Sequence, residues 1–146
     1  MTVSDIELEM PEKPFTFETL ERLKSEFSQA EIHFVMGADS WQEITTWREW
    51  QKVLTAVNII VVTRPGYEIG TSHVTEDIRE RIFDLRGCKN AFENNPNTAS
   101  IFFTDAVQVD ISATDIRRKI STDERGWRKL LPEQVARHIE KYGLYT

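Results

Sequence analysis

Residues 111–120 read ISATDIRRKI: Ser112 and Thr114 supply hydroxyls, Asp115 an acid, and Arg117, Arg118 and Lys119 three consecutive cations. Two readings fit that spacing. In one, Ser112 caps a short helix with Asp115 three residues on, Ile111 packs on Ile116 as a staple, and Arg118 and Lys119 offset the helix's negative end. In the other, the backbone N–H groups of the helix start, two hydroxyls and Arg117 cradle a phosphate. Each charge-assisted hydrogen bond there is worth roughly 1.5 to 3 kcal/mol. Spacing alone leaves both open.

Other polar residues follow apolar runs, where an open parallel sheet binds its ligands. Gly37 and Asp39 come after IHFVM: the glycine permits close backbone approach, and the carboxylate can accept from ribose hydroxyls or cap a turn. Arg64 lies in TRPGY, either closing a turn around Pro65 and Gly66 or facing a ligand. Trp47 heads the stripe Trp47, Trp50, Leu54 and Val57, as a core aromatic or as a ring with one face for a planar ligand. Thr16 in KPFTFETL is placed to cap the helix that follows. His33, His73 and His138 have no H-x-H or H-x-x-H spacing, so neither a metal site nor a nucleophile-base pair is read into them.

The elements that must position these residues alternate. IHFVM, NIIVV and SIFF are short, apolar and rich in branched or aromatic residues, as strands buried on both faces of a parallel sheet are. VSDIELEM alternates Ile6, Leu8 and Met10 with acids, which predicts an edge strand with one charged face. Helical spacing joins Leu20, Leu23 and Phe27; Trp47 through Val57; Ile78, Ile82 and Leu85; and Val135, Ile139 and Tyr142. Thr46 and Glu49 suit a capping box, Pro132 a first turn, and Gly87 and Gly143 helix stops. Alternating strand and helix predict an α/β fold in a single domain, 1–146.

Composition limits the partners. Eighteen Lys and Arg against 24 Asp and Glu leave a formal charge of −6, which argues against nucleic acid or an anionic membrane as a general partner and makes any anion site local. One cysteine, Cys88, permits no internal disulfide framework and fits a reducing cytosol. No apolar run approaches the roughly 20 residues of a membrane span, so a cytoplasmic protein is expected.

In order along the chain, VSDIEL, FTFETL, FVMGADSWQEITTW, VVTRPGY, VDISATDIRRKI and LLPEQVARHIEKYGLY resemble segments of the bacterial nicotinate mononucleotide adenylyltransferases. These are members of the nucleotidyltransferase superfamily. The resemblance implies a Rossmann-like α/β fold, with a mainly parallel sheet flanked by helices. It implies adenylyl transfer from ATP to nicotinate mononucleotide, giving deamido-NAD and pyrophosphate in NAD biosynthesis, with Mg²⁺. By the same resemblance Ser112, Thr114 and Arg117 hold the ATP phosphates, Gly37 and Asp39 meet the adenosine side, and Thr16, Trp47 and Arg64 meet the mononucleotide.

Two departures stand out. ISAT replaces the usual ISST, so Ala113 lacks a hydroxyl but keeps its N–H. The family's glycine-rich G-x-F-D-P-x-H-x-G-H segment, with its histidines and the first strand-helix unit, has no counterpart here. A truncated domain is therefore expected, one that exposes sheet edges and partners either a second copy or a complementary N-terminal fragment. The alternatives are a non-catalytic nucleotide-binding module and a related pantetheine-phosphate or cytidylyl-type transferase. The T-W, R-P-G-Y and GLY elements favour the nicotinate reading over the latter.

Overall fold

The computed structural model describes residues 3–10, 12–63, 69–87, 99–106, 112–124 and 126–146. They fall into two compact units, Met1–Gln108 and Val109–Thr146.

The first unit carries a four-stranded sheet. Its strands are β1 (His33–Gly37), β2 (Asn58–Val62), β3 (Ile82–Asp84) and β4 (Ile101–Thr104), in the order β1-β2-β4-β3. Every pairing is parallel, with Val35 opposite Ile60, and Ile60 and Phe83 both opposite Phe102. Helices α1 (Thr16–Glu26), α2 (Ala38–Gln42), α3 (Trp50–Ala56) and α4 (Glu76–Arg79) flank it. NIIVV and SIFF are the central strands, and Ile59, Val61 and Ile101 are fully buried, as branched residues covered on both faces should be. Around them pack Trp41, Ile44, Val53, Leu54 and Phe103, each worth about 1.5 to 3 kcal/mol of apolar burial.

Several expectations are corrected here. IHFVM is not buried on both faces: β1 lies at an edge of the described sheet, with His33 exposed and Val35 58% exposed. VSDIELEM is not a strand. Residues 6–10 turn instead, with Leu8 N–H donating to the Asp5 carbonyl and Met10 N–H to that of Glu7. Glu7 and Glu9 reach α1, accepting from Thr19 and Arg22, so only Ile6 of the alternating set is buried.

The helix expected from Trp47 begins at Trp50, because Glu49 takes a left-handed backbone with φ of 53° that no α-helix contains. Trp47 follows a 3-10 turn, Ile44–Thr46, and is extended. Thr46 donates its hydroxyl to the Glu43 carbonyl, so the expected capping box with Glu49 does not form.

Ile78, Ile82 and Leu85 do not share a helix either. The helix is one turn long, and Ile82 and Phe83 join the ladder beside β4, where branched and aromatic side chains pack well. Gly87 takes the positive φ of a tight turn after that strand and stops no helix.

The second unit pairs α5 (Ala113–Ser121) with α6 (Glu133–Tyr142) through a 3-10 turn at Trp127–Leu130. Ile116, Ile120 and Ile139 form its small core with Trp127, Leu130 and Leu131. Pro132 stands at the cap of α6, where its missing N–H is no loss. Gly143 ends the helix in a left-handed conformation, and Leu144 N–H reaches back to the Ile139 carbonyl. The inward face of α6 is Ala136 and Ile139, not the expected Val135 and Tyr142, which are exposed. Among the described residues no helix is long and apolar enough to cross a membrane.

Candidate functional site

At the carboxyl end of β1 the chain turns directly into α2. Gly37 is both the last residue of the strand and the cap of the helix, with φ of −81° that any residue could adopt. The reason for glycine lies in space: a Cβ there would sit 2.5 Å from Asp39 Oδ1. The carboxylate thus folds over the glycine. It is exposed and has no hydrogen-bond or ion-pair partner among the described residues, which leaves its acceptors open.

At the end of β2, Thr63 is buried and held to β4, its N–H donating to the Thr104 carbonyl at 2.9 Å. Arg64 and the R-P-G-Y run lie outside the described residues. Beyond them residues 69–75 are tied to α2. Trp41 donates its indole N–H to the Gly70 carbonyl at 2.8 Å, and His73 Nε2 lies 3.0 Å from the Trp41 carbonyl. His73 and Phe103 both meet the buried indole edge-on.

The mononucleotide candidates share this unit. Thr16 is the first residue of α1 and not its cap, so the helix opens one residue earlier than expected. Phe15 is the cap residue and has no side-chain acceptor, so the end is closed from the other side by Glu18 Oε2, which accepts from Phe15 N–H at 2.8 Å. Thr16 therefore keeps its hydroxyl out of any cap. Trp47 is half-buried against the core and meets Phe34 edge-on, with part of the indole still open to solvent. Next to it Arg48 lies over the Phe15 ring, a contact that sequence spacing gave no means of finding.

In the second unit the opening of α5 realises the capped-helix reading. Ser112 Oγ accepts from Asp115 N–H at 3.0 Å and lies 3.1 Å from Asp115 Oδ2, to which it donates. The staple partner Ile111 lies outside the described residues. The hydroxyl's single proton is committed to Asp115, so contact with a phosphate would require that rotor to turn.

The three cations then divide. Lys119 lies 2.8 Å and Arg118 3.4 Å from the Glu124 carboxylate, while Arg117 is exposed and has no acidic partner among the described residues. The Lys119 hydrogen bond, aided by the Arg118 charge, holds Glu124 below the usual carboxylate range. Thr114 and Arg117, three residues apart, share one exposed side of the helix, and the Ala113 and Thr114 N–H groups have no acceptor among the described residues.

Of the sequence-derived candidates, Gly37 and Asp39 come together at one strand end, Ser112, Thr114 and Arg117 at the start of α5, and Thr16 and Trp47 within the first unit. No three His, Cys, Asp or Glu side chains converge among the described residues.

The cytidylyltransferase-like family profile matches residues 1–119. A probable nicotinate-nucleotide adenylyltransferase of Desulfatibacillum aliphaticivorans is 32% identical over 99% of this chain and 68% of its own length. The chain belongs to the cytidylyltransferase-like family and, within it, to the nicotinate-nucleotide adenylyltransferases.

Proteins of the same name from Desulfitobacterium hafniense and Corynebacterium jeikeium are 36% and 29% identical over 98% and 99% of the chain. The chain spans 62% and 66% of their lengths. The fold agrees with a solved structure, Plasmodium falciparum nicotinic acid mononucleotide adenylyltransferase complexed with APC. Its TM-score is 0.64 at 18% identity, covering 99% of this chain and 64% of that one.

Proposed function

We propose that this chain serves adenylyl transfer from ATP to nicotinate mononucleotide, yielding deamido-NAD and pyrophosphate in NAD biosynthesis. A 5′-phosphate oxygen of the mononucleotide attacks the α-phosphorus of ATP. The new Pα–O–P bond forms as the bond to the β-phosphate bridging oxygen breaks, and pyrophosphate leaves with that electron pair. Such a transfer needs positioning and charge neutralisation more than a protein nucleophile.

In this reading Ser112, Thr114 and Arg117 hold the ATP phosphates. Gly37 and Asp39 meet the adenosine side, the glycine leaving room for the Asp39 carboxylate that accepts from the ribose, and Thr16, Trp47 and Arg64 receive the mononucleotide. Mg²⁺ fits the donor set as a companion of the triphosphate, since it favours phosphate oxygens and water over a protein-built cage and no carboxylate cluster competes for it among the described residues. When bound it neutralises phosphate charge, and the chain's own share of that work falls to Arg117.

The observation that carries the proposal is the sorting of cations on α5: two are matched at the surface by Glu124, and Arg117 has no acidic partner among the described residues and shares its side of the helix with Thr114, whose N–H is open. Titration calorimetry with ATP and Mg²⁺ tests it. Arg117→Ala should weaken ATP binding about tenfold or more, the worth of a charge-assisted contact, while thermal unfolding stays nearly unchanged because the side chain is exposed. An unaltered affinity removes Arg117 from the site.

A further inference from the structure

Two aromatic side chains bracket Thr16 at the start of α1, and each carries a cation from the segment 47–52. The Arg48 guanidinium lies 4.7 Å from the Phe15 ring centre, and the Lys52 ammonium 5.4 Å from that of Phe17. The two cations differ in what else they hold. Lys52 is 3.1 Å from the Glu49 carboxylate, whereas Arg48 has no carboxylate partner among the described residues. The acid at the start of α1, Glu18, is already accepting from Phe15 N–H.

Contact through the cationic centre uses none of the five N–H donors of a guanidinium, and those donors match a carboxylate in a two-point fork. Phe15 is 46% exposed, so the ring steadies Arg48 at the surface without burying its charge. Along the chain Arg48 directly follows Trp47, and across the contact its ring partner directly precedes Thr16.

We infer that Arg48 is a specificity-determining residue, its guanidinium donating to the carboxylate of a pyridine-3-carboxylate mononucleotide and so selecting the acid over the neutral 3-carboxamide. The inference rests on the reading of Thr16 and Trp47 as the mononucleotide side. A carboxamide brings no charge to meet the guanidinium and offers the fork one acceptor oxygen in place of two, its NH₂ facing a group that only donates.

Calorimetric titration of the full chain with nicotinate mononucleotide and with nicotinamide mononucleotide tests this. The unaltered protein should bind the acid about tenfold or more tightly than the amide, as a charge-assisted contact allows. Arg48→Ala should remove most of that preference by weakening the acid alone, and Arg48→Lys, a point charge without the fork, should restore part of it. Phe15→Leu should narrow the preference by freeing the guanidinium. Should Arg48→Ala fail to fold, Arg48→Gln keeps the stem and carries the same comparison. An acid-to-amide ratio unchanged by loss of the guanidinium, or equal weakening of both ligands, overturns the inference and leaves the proposed function standing. Binding of neither mononucleotide by the unaltered protein overturns both.

Discussion

Gly37 lies under its neighbour's carboxylate, and its own backbone angle does not call for glycine. Alanine would fit the φ of −81°, yet its methyl would meet Asp39 Oδ1 at 2.5 Å, and the carboxylate would have to swing away. The expected outcome of Gly37→Ala is therefore selective. Affinity for ATP falls about tenfold, as for the loss of one hydrogen bond to a charged acceptor, while the midpoint of thermal unfolding moves little because the displaced group is exposed. Equilibrium titration beside a melting curve separates the two effects, and a drop in stability at constant affinity would make Gly37 a packing residue only.

At this scale the sequence was legible in part. The cap at Ser112 could be read from its spacing to Asp115. The reason for glycine at 37 could not, because the contact depends on a side-chain rotamer.

Among elements, α5 is held at both ends by its own charges. Glu124 closes the last turn through Lys119 and Arg118, and the Lys119 hydrogen bond is what depresses its pKa most. A carboxylate with a depressed pKa in the folded state contributes stability that is in place above its unfolded value, about 4.3. That contribution is lost as the pH falls through the folded value. Helical circular dichroism followed from neutral pH into the acid range should thus show a loss that Glu124→Gln reduces at its low-pH end; identical profiles for the two proteins would mean the pair does not couple to the helix. Glu133, lowered by Arg137 and Arg128, adds a transition of the same sign on α6.

The elements also show where periodicity misleads. Ile78 and Ile82 are four apart, as on a helix, but a single turn followed by a strand produces the same spacing. VSDIELEM alternates as a strand does, yet its acids find Thr19 and Arg22 on α1, and the chain turns to deliver them. Of the three apolar runs, NIIVV and SIFF matched the reading as buried parallel strands, while IHFVM shares their composition yet lies at an edge of the described sheet, so composition alone does not tell a central strand from an edge one.

For the whole molecule, a charge of −6 means that long-range attraction does not draw anionic nucleotides to the surface, and local cations must hold them. Among the described residues Arg117 and Arg48 are two of several cations without an acidic partner, while Lys52, Arg79, Arg118, Lys119 and Arg128 are each matched by a carboxylate. The spacing of IRRKI already set Arg117 apart from Arg118 and Lys119, but did not show the acid that matches the latter two, Glu124. What the sequence did make legible was the order of segments along the chain, which the family match then bore out.

The central claim is that these residues serve the joining of two nucleotides, and it is tested most directly by product. The protein, incubated with ATP, Mg²⁺ and nicotinate mononucleotide, should release pyrophosphate and form deamido-NAD in equal amounts, each dependent on both nucleotides. Pyrophosphate without the dinucleotide, or neither product under conditions where both nucleotides are bound, would contradict the account.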